Sequence, residues 1–362
     1  MKKITLLLLC IYGVSQAGAQ TGASPVKPKD SIDTVIAREA RVFLQSKAAV
    51  GVSVGFYHNG RLYTYNYGSV SKDAQHLPTA HTIYGIGSIS KTFAGLLLAK
   101  AVTENKVKLD DDIRKYLDGD YPNLEYKGHP IKLFHLISHV SRLPNWLSDQ
   151  AEKPGYTRDD FYRDLHQLKI DTLPGVKFLY SSAAVQLLGY ILEKVYHQTF
   201  GELLREKITG PLQMKDTRIV LTARDREHAA KGYTKVGMFD PNEYNYMQGA
   251  GGLKSTASDL LKYMVYQMNE EDPAVILSHK ESWGFDMGGG NHYSCALNWQ
   301  VIKVASGPRR ISQDGNLVNC SGVVTFSPEL KTGIVVLTNS DNIDAVSKCS
   351  DDILKALAPA MY

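Results

Sequence analysis

An α/β fold, with one antiparallel sheet assembled from both chain ends and a large, mainly helical insertion between them, is predicted by three patterns in this 362-residue chain. Near the N-terminus, Val50 to His58 and Arg61 to Tyr67 alternate like strands around Asn59-Gly60, a strong two-residue hairpin signal. From Ser88 to about Met268 the periodicity turns helical, and beyond Gly288-Gly289-Gly290 β-rich segments return at Tyr293 to Val304, Gly322 to Ser327 and Gly333 to Asn339. Strands at both ends must share one sheet if both are to be buried. Gly288-Gly290 reads as the linker back into it.

The elements justify themselves in order. Lys2-Lys3, the apolar run Ile4 to Ile11 and Ala17-Gly18-Ala19 match a secretory signal peptide, residues 1–19, with an A-x-A cleavage site. The run is far short of the ~20 residues that span a bilayer. Cys10 lies inside that run behind Leu8-Leu9, which disfavours lipidation. Residues 20–362 then read as a single domain, with an α/β lobe at about 31–86 plus 291–362 and a helical lobe at about 87–290. Ser31 offers an N-cap to a helix reaching Ser46, and further helices are predicted at Ser182 to Tyr196, Phe200 to Ile208 and Thr256 to Gln267. The location expected is periplasmic or extracellular, in a bacterium.

Charge excludes some partners. Without Lys2 and Lys3, 41 − 2 = 39 basic residues face 37 acidic ones. The charges are dispersed, with no basic run interleaved with aromatics, so neither nucleic acid nor an anionic membrane is indicated. Cys295, Cys320 and Cys349 remain after cleavage, which allows at most one internal disulfide and rules against a Cys-based zinc site. Cys320 reads as a buried structural thiol.

Chemistry enters at Ser88-Ile89-Ser90-Lys91. Roughly one or two S-x-x-K matches are expected by chance in a chain this long. Here there are three, but Ser24/Lys27 and Ser69/Lys72 fall in loop-like segments, and Ser88/Lys91 alone opens an apolar helix, Phe93 to Val102. On a helix i and i+3 share a face, so the Lys amine reaches the Ser hydroxyl. The unpaired N–H groups of a first turn also favour negative charge on an attacked acyl oxygen. His135 and His139 have the i, i+4 spacing of metal ligands, yet Leu136-Ile137-Ser138 between them lacks the Glu of a zinc protease, so no metal and no cofactor is expected. Tyr233 to Gly249, with Tyr244, Tyr246 and Met247, reads either as a wall facing an apolar acyl group or as a loop packed on its own rings.

In order along the chain come Ile83-Tyr84-Gly85-Ile86-Gly87-Ser88-Ile89-Ser90-Lys91, Lys108 to Ile113, Leu136-Ile137-Ser138-His139-Val140-Ser141-Arg142-Leu143-Pro144, Pro174-Gly175 and Tyr180-Ser181-Ser182. Gly210-Pro211-Leu212-Gln213-Met214, Gly251 to Thr256, Phe326-Ser327-Pro328-Glu329 and Leu337-Thr338-Asn339 follow. This series resembles the serine β-lactamase and penicillin-binding-protein superfamily, in particular its branch of class C β-lactamases, D-alanyl-D-alanine carboxypeptidases, esterases and acyltransferases. The resemblance implies a β-lactamase/transpeptidase-like fold and an acyl-enzyme formed on Ser88, with Lys91 as base or proton relay and Tyr180 moving protons at the leaving group and water.

Two departures from the family pattern concern recognition. The second motif ends in Ser182 where Asn is usual, leaving a shorter hydroxyl without an amide's paired donor and acceptor. Lys331-Thr332-Gly333 spells the family's third motif but follows Phe326-Ser327-Pro328 instead of preceding it, so counting back places Gln313-Asp314-Gly315 in that role. The oxyanion hole would then be the backbone N–H groups of Ser88 and Asn316. Ser182, Gln313, Asp314, Gly315 and Arg142 are the substrate-binding candidates, with Arg142 or Arg309-Arg310 as substitutes for the missing cation. A neutral Gln313 beside Asp314 argues against efficient β-lactam turnover. The function expected is an exported serine hydrolase acting on a small-molecule or cell-wall-derived ester or amide; the alternatives are an acyltransferase passing the acyl group to an alcohol, and a penicillin-binding or sensor protein with little turnover.

Overall fold

The structure, a computed structural model, describes residues 31–362 apart from 47–48, 74–75, 152, 154, 234–237, 240–247 and 306. The leader at 1–19, and Tyr244, Tyr246 and Met247 of the aromatic segment, lie outside the described residues. Eight strands form the main sheet: β1 (Gly51–His58), β2 (Arg61–Gly68), β3 (Trp283–Gly288), β4 (Asn291–Ala296), β5 (Trp299–Lys303), β6 (Arg309–Asn316), β7 (Ser321–Ser327) and β8 (Thr332–Thr338). Their spatial order is β2-β1-β8-β7-β6-β5-β4-β3, every neighbouring pair antiparallel. The sheet is thus joined, two strands in from one edge, by β1 against β8, strands from opposite ends of the chain.

Both hairpin turns that matter obey the twist rule. Asn59 and Gly60 sit at φ 46° and 87°, the left-handed pair that matches strand twist. Leu297 and Asn298, at φ 42° and 77°, do the same between β4 and β5, so the stretch Tyr293 to Val304 is a hairpin where the sequence reads as one segment. Gly288, Gly289 and Gly290 all have positive φ and turn β3 into β4. They are a hairpin turn inside the sheet, which reaches back to Trp283, and not a linker to it.

Helix α1 (Ile32–Leu44), capped by Ser31 as its sequence predicts, and α5 (Ile343–Leu357) cover one face of the sheet. Val52, Val54, Phe56, Ile334 and Val336 point into that layer. The other face carries α2 (Ser90–Thr103) and α4 (Ala257–Asn269), in one core with Ile311, Val324, Phe326, Val335 and Leu337, while α3 (Ser182–Tyr196) packs against α2 in the helical lobe. Central strand β8 is buried throughout, its residues alternating between the two cores. Helix α2 is apolar nearly all round, the pattern of a helix enclosed on every side. Phe93, Leu96, Leu97 and Leu98 on it are wholly buried, each contributing about 1.5–3 kcal/mol in removed apolar surface. Cys295, Cys320 and Cys349 are free and buried. No helix among the described residues is long and apolar enough to cross a membrane.

Candidate active site

Ser88 stands in a 3₁₀ turn, Gly87–Ile89, that runs directly into α2. The turn is clamped from two sides. The short pair Tyr84–Gly85 with Lys254–Ser255 fixes the chain before it, extended by Ile86 N–H donating to Leu253 O at 3.1 Å. Ser90 Oγ accepts the Leu253 N–H at 3.2 Å from the other side. Lys91, one turn on and 1% exposed, places Nζ 3.0 Å from Ser88 Oγ and donates to the Ala250 carbonyl. Tyr180 Oη lies 2.6 Å from Ser88 Oγ, with Lys91 Nζ 4.9 Å from its ring centre. The predicted Ser88, Lys91 and Tyr180 are therefore in mutual contact. Ser88 Oγ has two hydrogen-bonding neighbours, an amine and a phenol, and side chains of both types serve as proton acceptors in their deprotonated forms.

The end of β6 meets the nucleophile turn at backbone contact. A Cβ on Gly315 would fall 2.1 Å from Ile86 O and 3.0 Å from Ser88 N; one on Gly87, at φ 49°, would fall 2.9 Å from Asn316 N. No side chain fits between them. Leu317 N–H donates to Cys320 O across the β6–β7 connection, so strand alternation sends the Asn316 N–H the other way. Pairing of β6 with β5 stops at Ser312, which leaves that N–H without a strand partner beside the Ser88 N–H. Two convergent backbone donors next to a serine hydroxyl are the arrangement that stabilises a tetrahedral oxyanion.

A cleft of about 240 Å³ opens over Ser88, lined among others by Trp146, Ser182, Ala250, Asn316, Val318 and Asp341. Ser182 faces it while its own N–H is held by Asn145 Oδ1 at 2.9 Å. Asp341 is tied to Asn316 Nδ2 at 3.1 Å. A larger cleft, about 720 Å³, lined by Leu204, Met214 and Ile219 among others, shares no residue with it.

The remaining candidates sit apart from the cleft lining. Gln313 is buried on the same side of β6 as Gly315, its amide folded back onto Asp314 O at 2.9 Å. Asp314 points to the opposite side and accepts from Gln300 Nε2 at 3.2 Å. Arg142 is engaged by Asp171 through two bonds of 3.1 Å. Its φ of 70° lies in the left-handed region that favours glycine. Arg309 is held by Glu270 and Glu329, and Arg310 stacks over Tyr362. Lys331 occupies the β7–β8 turn; six residue steps along the strand, roughly 20 Å, separate Thr332 from Thr338, the end of β8 nearest the site.

Sequence reasoning missed three parts of the site. The Ala250 carbonyl carries no side-chain signal. Asp341 follows the last strand, and the register Asn316↔Ser321↔Thr338 is what brings it over. The third is the support for Tyr180. Ser181 N–H donates to His139 Nδ1 at 3.2 Å, so the proton resides on Nε2, which donates to Asn298 Oδ1 at 2.8 Å, and the neutral ring lies 4.4 Å from that of Tyr180. His135 instead accepts the Lys132 N–H at 3.0 Å, capping a helix, and shares no partner with His139.

Burial, reinforced by the nearby Lys91 charge and opposed by the Asn298 bond, holds the His139 imidazole down to about 3. In the unfolded chain the ring takes a proton near 6.5; the folded site resists it. The resulting stability is whole above pH 6.5 and is lost as pH falls toward 3. His139→Gln is therefore expected to lose less Tm between pH 7 and pH 4 than the unmodified protein. Parallel Tm–pH curves in differential scanning calorimetry would contradict this.

A family model described as Beta-lactamase matches residues 36–358, most of the chain. The chain belongs to the beta-lactamase family. Among its relatives, protein flp of Staphylococcus aureus (strain MW2) is 27% identical over 323 residues, covering 86% of this chain; the chain spans only 63% of flp's length. A beta-lactamase of Yersinia enterocolitica is 24% identical over 406 residues, covering 99% of this chain and 100% of that protein. Among solved structures, a beta-lactamase/D-alanine carboxypeptidase from Yersinia pestis, complexed with citrate, superposes with a TM-score of 0.78 at 24% identity, over 91% of this chain and 99% of that one. A class C beta-lactamase gives 0.77 at 24% identity, over 90% and 96%. The beta-lactamase-family fold expected from the motif order is the fold this chain has.

Proposed function

We propose that the chain is an exported serine hydrolase that forms an acyl-enzyme on Ser88 with an uncharged ester or amide. The contact of Ser88 Oγ with both Lys91 Nζ and Tyr180 Oη carries this reading. Ser88 Oγ attacks the carbonyl carbon while its proton passes to Lys91 or Tyr180. The oxyanion rests between the Ser88 and Asn316 N–H groups. Collapse breaks the C–O or C–N bond, and the same proton goes to the departing atom. Water then repeats the sequence on acyl-Ser88, releasing the acid.

The preference for uncharged substrates follows from the groups around the cleft. Gln313 is neutral, Arg142 is neutralised by Asp171, and Asp341 brings a negative charge to the cleft. A carboxylate-bearing β-lactam finds little there to pair with. The leader read at residues 1–19 supports export.

The test incubates the protein with 4-nitrophenyl acetate, nitrocefin and a fluorescent penicillin, following adduct mass at Ser88 and product release with and without added alcohols. Burst and turnover with the ester, and slow or absent turnover with nitrocefin, are expected. A new ester made from added alcohol would identify an acyltransferase. A penicillin adduct that persists without product would identify a penicillin-binding or sensor protein. A folded protein that forms no adduct and turns over no probe would overturn the reading.

A further inference from the structure

Five aromatic side chains run away from Ser88 in a chain of ring contacts that no step above uses. His139, against Tyr180, lies 5.6 Å from Phe178; Phe178 lies 5.4 Å from Trp283, Trp283 5.7 Å from Phe285, and Phe285 5.2 Å from Tyr293. The N–H groups of Leu179 and Ser181 both bond to His139, the alternation of an extended segment, so Phe178 and Tyr180 emerge on the same side. Trp283 Nε1 donates to Val176 O at 3.4 Å and fixes that segment beside β3, the free edge of the sheet. On β3 the period of two aligns Trp283, Phe285 and Met287 over roughly 13 Å.

His139 is buried, but the strip beyond it is not core. Val176 is 57% exposed, Phe178 40%, Phe285 49% and Met287 51%, and Tyr180, where the strip begins, 37%. Monomeric proteins rarely leave so continuous an apolar strip in water without a use for it. An apolar edge strand is also a hazard that proteins ordinarily blunt with charge.

The chemistry of Tyr180 decides which part of a substrate belongs here. Tyr180 touches Ser88 Oγ and handles the leaving-group proton, so the departing group, and the acceptor that later replaces it, sit on its side of Ser88. The acyl part occupies the cleft walled by Trp146, Ala250 and Val318. On the Tyr180 side lie the uncharged rings of His139, Phe178 and Trp283. We infer that the strip from Tyr180 to Met287 is a leaving-group and acceptor subsite, selecting esters of uncharged apolar or aromatic alcohols. This rests on Ser88 being the nucleophile.

The test separates alcohol length from acyl length. In the alkyl acetates, methyl to hexyl, leaving-group acidity is nearly constant while apolar length grows; methyl esters of acetic to hexanoic acid vary the acyl side alone. Full burial of a methylene is worth about fourfold, so the half-exposed strip should give about twofold per methylene, or about 30-fold in kcat/KM from methyl to hexyl acetate. Phe178→Ser and, separately, Trp283→Ser, the two rings that a hexyl chain extended from Ser88 past Tyr180 can reach, should cut that hexyl-to-methyl ratio to a few-fold and leave the acyl-series slope in place. An undiminished ratio in both variants, or length dependence in the acyl series alone, overturns the subsite. Should no ester acylate Ser88, the nucleophile assignment fails separately. Saturation-transfer NMR of 1-hexanol on the Ser88→Ala protein then decides the strip: a signal weakened by Phe178→Ser supports it, and no signal, or one unaffected, refutes it.

Discussion

Ser88→Ala is expected to abolish adduct formation and to lower ester kcat by about 10⁴–10⁶, the loss typical when a covalent nucleophile is removed from a machinery that acts as a unit. The fold should survive. Ser88 is partly exposed in a 3₁₀ turn, and among the described residues its oxygen bonds only to Lys91 and Tyr180, both of which keep other contacts. Intact-mass spectrometry after incubation with 4-nitrophenyl acetate reads the outcome directly. Turnover equal to that of the parent protein would remove Ser88 from the mechanism altogether.

Gly315→Ala should be the next most damaging, although it alters no reacting side chain. Its methyl would stand 2.1 Å from Ile86 O, so β6 and the nucleophile turn must part by about an ångström or more. That displacement pulls the Asn316 N–H away from the Ser88 N–H. Losing one oxyanion donor costs about 10²–10³ in kcat. Asn316→Ala, which keeps the backbone N–H, should cost far less, about tenfold or below, through its bonds to Asp341 and Ser321. Equal losses in the two variants, measured as single-turnover acylation rates, would refute the backbone role.

The contrast between these residues also shows what the sequence makes legible. The roles proposed for Ser88, Lys91 and Tyr180 rest on side-chain chemistry, so type and spacing announce them. The Asn59-Gly60 turn and the Ser182 to Tyr196 helix are local and equally plain. Leu297-Asn298 makes the same kind of turn without the glycine that signals it, and the hairpin it closes reads as one long segment. Gly288-Gly290 looks like a linker because three glycines suit either role; only pairing of β3 with β4 distinguishes them. Ala250 contributes a carbonyl, which every residue has. Arg142, read as a spare charge, is spent on Asp171, a partner 29 positions away that no local pattern reveals. The aromatic strip is likewise invisible along the chain, because Phe178 and Trp283 become neighbours only when the helical lobe docks on the sheet edge.

The closure of the sheet by its two ends governs when this protein first becomes chemically competent. Gly51 and Asn339, bonded across 288 residues, must meet before β1 and β8 pair. Contacts of such separation form slowly, since a very long loop is closed before anything is gained from it. A nascent chain emerging from the ribosome already holds Ser88, Lys91 and Tyr180, yet lacks the strand that brings Asn316 to them. Synthesis is therefore completed with Ser88 unarmed, and the assembled site arrives only as the final strands take their places.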